Sequence, residues 1–100
     1  ADVILRAMLG LMYERIGWPL DLVQKIVPYV EPLPKPANLL IQVHDSLVLE
    51  APDAIIPEVL GVLKRTMEQA WPELGGFSLP IGIAVGPSWG ECEPYKGVIL

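Results

Sequence analysis

The chain has 100 residues, of which 52% are hydrophobic and 19% are charged, and its formal net charge is −5. This composition excludes a chain that stays disordered for lack of apolar surface, and no apolar run approaches the ~18 residues of a membrane-spanning helix. We therefore predict one small domain over residues 1–100, too acidic to bind nucleic acid by a basic face of its own.

A helix is predicted at the start of the chain, where the sequence reads "ADVILRAMLGLM". Apolar residues recur at helical spacing at Ile4, Met8, Leu11 and Met12. Asp2 favours the helix N-terminus, and Gly17 and Pro19 end the pattern. Because the sequence opens inside this pattern without an initiator methionine, we expect it to be part of a longer protein.

A proline-rich connector is predicted over about residues 20–37, "LDLVQKIVPYVEPLPKPA". One or two helical turns are expected after Asp21. Beyond them the prolines force extended backbone, since proline fixes φ and removes a hydrogen-bond donor. These prolines are Pro28, Pro32, Pro34 and Pro36. We expect a surface loop here.

The segment "NLLIQVHDSLVLE" predicts two antiparallel strands. Strict alternation divides the first strand into two faces, with Leu39, Ile41 and Val43 on one and Leu40, Gln42 and His44 on the other. The chain is expected to reverse at or beside His44 and Asp45, because both residue types tolerate the positive φ of a tight turn. A carboxylate at such a tip is well placed to bind a divalent cation.

A second amphipathic helix is predicted from about Asp53 to Ala70, with Pro57 in its tolerant first turn. Its apolar face comprises Ile56, Val59, Leu63, Met67 and Ala70. The later segment "SLPIGIAVG" alternates apolar and small residues, as is typical of a strand with one packed face. The predicted order of helix, β-hairpin, helix and strand defines an α+β fold.

Three segments resemble motifs of the family A DNA polymerases, the bacterial DNA polymerase I type, in the same order. "QVHDSLVLEAP" resembles motif C, usually QVHDE followed by aliphatic residues and an acid. "ADVILRAM" resembles the helix that follows the family's QGTAAD segment. "LPIGIAVGPSWGE", with Gly86 and Trp89, resembles the C-terminal strand and turn. Nearly the whole chain except the connector is covered.

The resemblance implies the C-terminal part of a polymerase palm, the α+β subdomain that carries two-metal nucleotidyl transfer. Asp45 matches the motif C aspartate that binds Mg²⁺, so it is the implied catalytic and metal-binding residue. His44 and Gln42 match positions near the primer terminus, which implies DNA contacts independent of base sequence. A DNA primer–template and deoxynucleoside triphosphates are the implied substrates of the complete enzyme.

The chain also departs from the family pattern. Ser46 stands where a second carboxylate is usual, and we expect it to be a hairpin residue without a catalytic role. Glu50, most of a strand away, is not an obvious replacement. The connector is longer than in the bacterial pattern, and the family's other metal aspartate and basic nucleotide-binding helix are not in this sequence. We expect the fingers, the thumb and the rest of the palm on a longer chain or a partner polypeptide.

Other classes of function fit these residues less well or remain open. A metal-dependent phosphohydrolase of the HD type needs several histidines, and this chain has one. A serine hydrolase built on Ser46 lacks a correctly placed base and a G-x-S-x-G elbow. The open alternative is a non-catalytic palm module that folds and self-associates without chemistry. Trp71 and Trp89 are expected to be packing anchors rather than platforms for base stacking.

The single cysteine bears on the cellular setting. Cys92 cannot form an internal disulfide, and the first residues do not read as a basic region followed by an apolar signal core. We therefore expect a reducing, cytoplasmic environment.

Overall fold

In the computed structural model, helices lie both before and after a β-hairpin along the chain. The structure describes residues 2–43, 46–69, 71 and 82–100. The elements are α1 (Asp2–Ile16), α2 (Leu20–Gln24), β1 (Asn38–Val43), β2 (Ser46–Glu50), α3 (Ile56–Met67), β3 (Ala84–Val85) and β4 (Glu93–Pro94). Single 3₁₀ turns lie at Asp53–Ile55 and Trp89–Glu91. This order confirms the predicted α+β class. None of the helices in the described ranges is long and apolar enough to cross a membrane.

Helix α1 ends where the sequence predicted. Gly17 has a φ of 80°, in the left-handed region that favours glycine. The Trp18 amide then donates to the Tyr13 carbonyl at 3.0 Å, which satisfies one of the last carbonyls of the helix. Earlier in α1, a Cβ on Gly10 would lie 3.3 Å from Val27 Cγ1, so the missing side chain lets the following segment pack closely.

The connector is a packed element, and the expectation of a surface loop was wrong. One helical turn forms at α2, as expected, but four connector side chains are buried among the two helices. These are Val23, Val27, Leu33 and Ala37. The Leu33 amide also donates to the Leu11 carbonyl at 2.9 Å. Burial of Val23, Val27 and Leu33 holds this segment against the helices, since each such side chain contributes about 1.5–3 kcal/mol.

The buried residues form two clusters. The first joins the start of α1 to the connector and to the end of α3, and contains Val3, Ile4, Ala7, Val23, Val27, Met67 and Trp71. The second lies under the hairpin and contains Leu11, Leu33, Ala37, Val59 and Val62. Leu47 of β2 packs against both clusters, so the hairpin rests on the whole core.

Strands β1 and β2 pair antiparallel with a bulge. Leu39 faces Leu49 and Ile41 faces Val48, so Leu40 is an extra residue in β1. Facing residues share a side of the sheet, which puts Leu39 on the core side with Leu49 and Ile41 on the outer side. The prediction that Leu39 and Ile41 share a face was therefore wrong. Leu40 and Ile41 are 55% and 43% exposed.

Helix α3 confirms the second predicted helix, and its buried face includes the predicted Val59 and Met67 but is shifted from the predicted face. Its buried residues are Val59, Leu60, Gly61, Val62, Thr66 and Met67, whereas the predicted Leu63 is only half-buried. The face is shifted because the C-terminal segment also packs on α3. The Leu100 amide donates to the Pro57 carbonyl at 3.0 Å, and a Cβ on Gly61 would overlap the Leu100 backbone. Ala70 lies outside the described residues.

The first part of the predicted strand after α3, residues 78–81, lies outside the described residues. Within its described part, β3 pairs antiparallel with β4, a short strand that the sequence did not predict. Gly86 follows β3, and a Cβ there would overlap the carbonyl oxygen of Glu91. The glycine of this motif is therefore needed for the close approach of the turn between the two strands.

Candidate functional site

The paired ends of β1 and β2 define the place of the residues that resemble motif C in the hairpin. Val43 faces Ser46, so the two residues between them, His44 and Asp45, make the whole connection. His44 and Asp45 themselves lie outside the described residues. Ser46, the first residue of β2, is exposed. Leu47, the next residue of β2, packs against both core clusters, so β2 contacts the core two residues after Asp45 in the sequence.

Gln42 is the predicted DNA-contacting residue that the structure describes. It faces Leu47 across the hairpin and is half-buried. Because of the bulge, Gln42 shares its face with Leu39, not with the exposed Leu40 as the alternation predicted. Its predicted role in DNA binding is not tested by this geometry.

Glu50 does not take the place of the missing second carboxylate. It faces Asn38 at the opposite end of the hairpin, and Asn38 Nδ2 donates to Glu50 Oε1 at 3.4 Å. Glu50 is four positions from Ser46 along the strand, a distance of about 13 Å. Glu50 is therefore a residue of the hairpin base.

The described residues do not complete a site for a divalent cation. Across residues 2–43, 46–69, 71 and 82–100, no three His, Cys, Asp or Glu side chains converge in a way that could hold a metal ion. Catalytic Mg²⁺ sites use oxygen ligands from more than one group. Asp45, the ligand predicted from the sequence, lies outside the described residues, so its metal-binding role stays a prediction.

Arg15 joins the connector to the hairpin base, and sequence reasoning missed it. Its guanidinium donates to the carbonyls of Leu33 and Ala37 and to Asn38 Oδ1. A basic residue in the last turn of α1 was a visible signal, but its acceptors are two backbone carbonyls and one side-chain amide oxygen, 18 to 23 residues away along the chain.

Arg65 and Gln69 form a second polar group that the sequence did not reveal. Arg65 pairs with Glu31, and Gln69 bonds both backbone groups of Tyr29. The hydrogen bond from Arg65 is the main reason why the pKa of Glu31 is lowered, and the hydrogen bond to Glu31 is the main reason why the pKa of Tyr29 is raised. The Arg65 pKa is raised in turn by Glu31.

A shallow cavity of about 580 Å³ lies beside this group, between the end of the connector, α3 and the C-terminal segment. Its walls include Tyr29, Gly61, Arg65, Gln69 and Leu100. Each of the polar side chains among them already bonds another part of the chain. These polar side chains therefore hold the connector and the C-terminal segment against α3.

Comparison with known proteins identifies relatives of this chain. It is similar to thermostable DNA polymerase I of Thermus filiformis, with 39% identity over 69 residues, which is 69% of this chain and 8% of the relative. Thermostable DNA polymerase I of Thermus thermophilus is 44% identical over 50 residues, half of this chain and 6% of the relative. DNA polymerase I of Chloroflexus aurantiacus is 36% identical over 57 residues, which is 57% of this chain and 6% of the relative.

These similarities confirm the resemblance seen in the motifs. The chain corresponds to a segment of the family A DNA polymerases, the bacterial DNA polymerase I type. It spans less than a tenth of the length of the relatives it matches. No family model matches the sequence, and no solved structure is significantly similar to the chain.

Proposed function

We propose that the chain is the C-terminal palm segment of a DNA-directed DNA polymerase and that Asp45 contributes a carboxylate to template-directed nucleotidyl transfer. The observation that supports this most is the pairing of Val43 with Ser46, which makes Asp45 one of two residues that join the strands. His44 and Asp45, the two connecting residues, also stand in a segment that resembles motif C, in a chain related to bacterial DNA polymerase I.

In the complete enzyme Asp45 would hold a divalent cation, which we propose to be Mg²⁺. When bound, such ions activate the attacking oxygen and stabilise the leaving group in phosphoryl transfer. His44 and Gln42 would contact the primer terminus, because their ring and amide groups can bond to sugar and minor-groove atoms that every base pair shares. The substrates would be a primer–template and deoxynucleoside triphosphates.

The rest of the site would come from other parts of the polymerase. The chain has a net charge of −5, whereas binding of DNA phosphates requires basic residues. We therefore propose that the fingers, the thumb and the remaining palm supply the second metal-binding carboxylate and the positive charge. Ser46 would remain a hairpin residue beside the site.

Binding of Mn²⁺ to the 100-residue chain tests the role of Asp45. Bound Mn²⁺ broadens nearby amide signals in NMR spectra, so we expect selective broadening at Gln42, Ser46 and Leu47. Asp45→Asn should remove this broadening. Asp53→Asn, which removes a carboxylate of the same type from the exposed turn before α3, should leave it unchanged. Equal broadening in the wild type and in Asp45→Asn would refute the assignment.

The alternative, a non-catalytic module that self-associates, is favoured by one observation. Leu40 and Ile41 expose apolar side chains on the outer side of the hairpin. Sedimentation of the chain over a range of concentrations would detect a dimer. A dimer that Ile41→Thr dissociates, together with unchanged Mn²⁺ spectra in Asp45→Asn, would favour this alternative over the polymerase role.

A further inference from the structure

We propose that Arg15 is a positioning residue that sets the orientation of the β1–β2 hairpin relative to α1. This inference rests on the proposed function in one respect: the hairpin matters because its tip carries Asp45. The contacts of Arg15 themselves are independent of any metal or DNA.

The geometry begins with the three acceptors of one guanidinium. Arg15 Nη2 donates to the Leu33 carbonyl at 3.2 Å, and Nη1 donates to the Ala37 carbonyl and, at 2.9 Å, to Asn38 Oδ1. Ala37 is the last residue of the connector, and Asn38 is the first residue of β1. Arg15 therefore fixes the point at which the chain enters the hairpin.

The contact continues to the second strand. Asn38 uses its side-chain oxygen to accept from Arg15 and its nitrogen to donate to Glu50 Oε1. Asn38 and Glu50 are also paired in the register of the strands. One side chain of α1 is thus linked to both strands at the base of the hairpin, and a rotation of the hairpin about its base would break these bonds together.

Arginine suits this role for a chemical reason. Its planar group has several donors in fixed directions, whereas the lysine ammonium is a single compact group at the end of a flexible stem. The side chains of Leu33 and Ala37 are buried, so carbonyl groups here have little water to replace a lost donor. We expect lysine to keep only part of the contact.

The rival role is general stabilisation, in which Arg15 adds to folding free energy without directing the hairpin. The two roles differ in what they change within the folded state. Loss of general stability leaves the hairpin orientation of folded molecules as it was. Loss of a positioning residue alters or broadens that orientation while the core stays folded.

Residual dipolar couplings of the 100-residue chain, which report the angle between α1 and the hairpin, provide the test. Arg15→Met keeps the aliphatic stem and removes all three donors. Arg6→Met is the matched control: Arg6 is in the same helix and donates to the backbone carbonyl of Ile26 at 3.3 Å, away from the hairpin. Arg15→Lys is a milder variant that covers the case in which Arg15→Met does not fold.

We expect Arg15→Met to change or average the couplings of Leu39, Leu47 and Leu49 while those of α3 keep their wild-type values. Hydrogen exchange of the same hairpin amides should become at least about tenfold faster than in the Arg6→Met control, since several charge-assisted bonds are lost. Arg15→Lys should lie between wild type and Arg15→Met. Unchanged hairpin couplings in folded Arg15→Met, or in Arg15→Lys if the former does not fold, would overturn the inference.

The Mn²⁺ experiment separates this inference from the proposed function. If broadening around the tip is equal in wild type and Asp45→Asn while Arg15→Met alters the hairpin couplings, the metal role fails and the positioning role stands. If broadening depends on Asp45 but no Arg15 variant alters the couplings, the metal role stands and the positioning role fails.

Discussion

Arg65 and Glu31 meet as a two-pronged ion pair, with Nε to Oε1 and Nη2 to Oε2 both at 2.9 Å. Just beyond the end of α3, Gln69 accepts from the Tyr29 amide at 2.7 Å and donates to the Tyr29 carbonyl at 3.1 Å. Two side chains at and just after the end of α3 thus bind two nearby residues of the connector. The connector is held on α3 by specific bonds as well as by its buried side chains.

The ion pair between Glu31 and Arg65 is expected to make the stability of the fold depend on pH. The hydrogen bond from Arg65 lowers the pKa of Glu31 below its ordinary value of 4.5, so the folded state favours the carboxylate. This contribution is fully present above the unfolded-state pKa and is lost as pH falls through the lowered folded-state pKa.

Urea unfolding of wild type and Glu31→Gln from neutral pH down to about pH 2 checks this. We expect wild type to be more stable at neutral pH and the difference to shrink in acid. Glu14→Gln, which removes an exposed carboxylate from α1, is the control for the loss of a negative charge. A Glu31→Gln difference that stays constant across this range would contradict the prediction.

Replacement of Thr66 by valine is expected to stabilise the fold. Its side chain is fully buried in α3, and its hydroxyl has no hydrogen-bond partner among the described residues. Valine has nearly the same shape without the hydroxyl, so Thr66→Val should raise the free energy of unfolding by about 1 kcal/mol. Val62→Thr, which adds a hydroxyl one turn earlier in the same buried face, is the converse control and should lower it. A loss of stability in Thr66→Val would mean that the hydroxyl has a partner.

Trp71 is expected to stabilise the fold by its packing in the core. It is fully buried, and its Nε1 donates to the Met67 carbonyl at 3.1 Å, which confirms the expectation of a packing anchor. Trp71→Phe removes this bond and part of the ring, and should cost about 1–3 kcal/mol of folding free energy. Trp18→Phe changes a ring that is 41% exposed and should cost far less. Equal losses of folding free energy in Trp71→Phe and Trp18→Phe would contradict this prediction, because the cost would then not depend on how deeply the ring is buried. The side chain of Trp89 lies outside the description.

The sequence predicted the elements better than it predicted their faces. Helical spacing located α1 and α3, and the "VHDS" interruption located the reversal between β1 and β2. The bulge at Leu40 could not be foreseen, because alternation carries no signal for one inserted residue. It reverses the faces of Leu39 and Ile41 and so decides which of them reaches the core.

The connector shows a similar limit. Its prolines predicted extended backbone on the surface. The burial of the aliphatic side chains between them was therefore not expected. Whether Leu33 or Val27 is buried depends on the surfaces of α1 and α3, which are distant in sequence. For the same reason the arginines that hold the connector could not be paired with their acceptors in advance. The relation to bacterial DNA polymerase I was predictable from the sequence, whereas the assignment of His44 and Asp45 to motif C stays a prediction, because both lie outside the described residues.

The isolated chain should neither extend primers nor hold duplex DNA tightly. One candidate metal ligand does not make a two-metal site, and the net charge of −5 opposes binding to phosphates. We expect only weak binding at physiological salt in a fluorescence titration with a labelled primer–template. Primer extension by chain freed of host polymerase, or tight and salt-resistant binding, would show that the chain contains more of the site than we propose.

Nucleotide incorporation by a polymerase that carries this segment is the most direct test of the central claim, that Asp45 is a metal-binding residue of the site. In single-turnover reactions with saturating Mg²⁺, Asp45→Ala should lower the rate by at least ~10²–10³-fold, as expected for loss of one preorganised electrostatic group, with little change in DNA affinity. Ser46→Ala should cost less than about tenfold, and Ser46→Glu should be tolerated because a neighbouring metal offsets the added charge. A near-normal rate in Asp45→Ala together with a lost rate in Ser46→Ala would contradict the account.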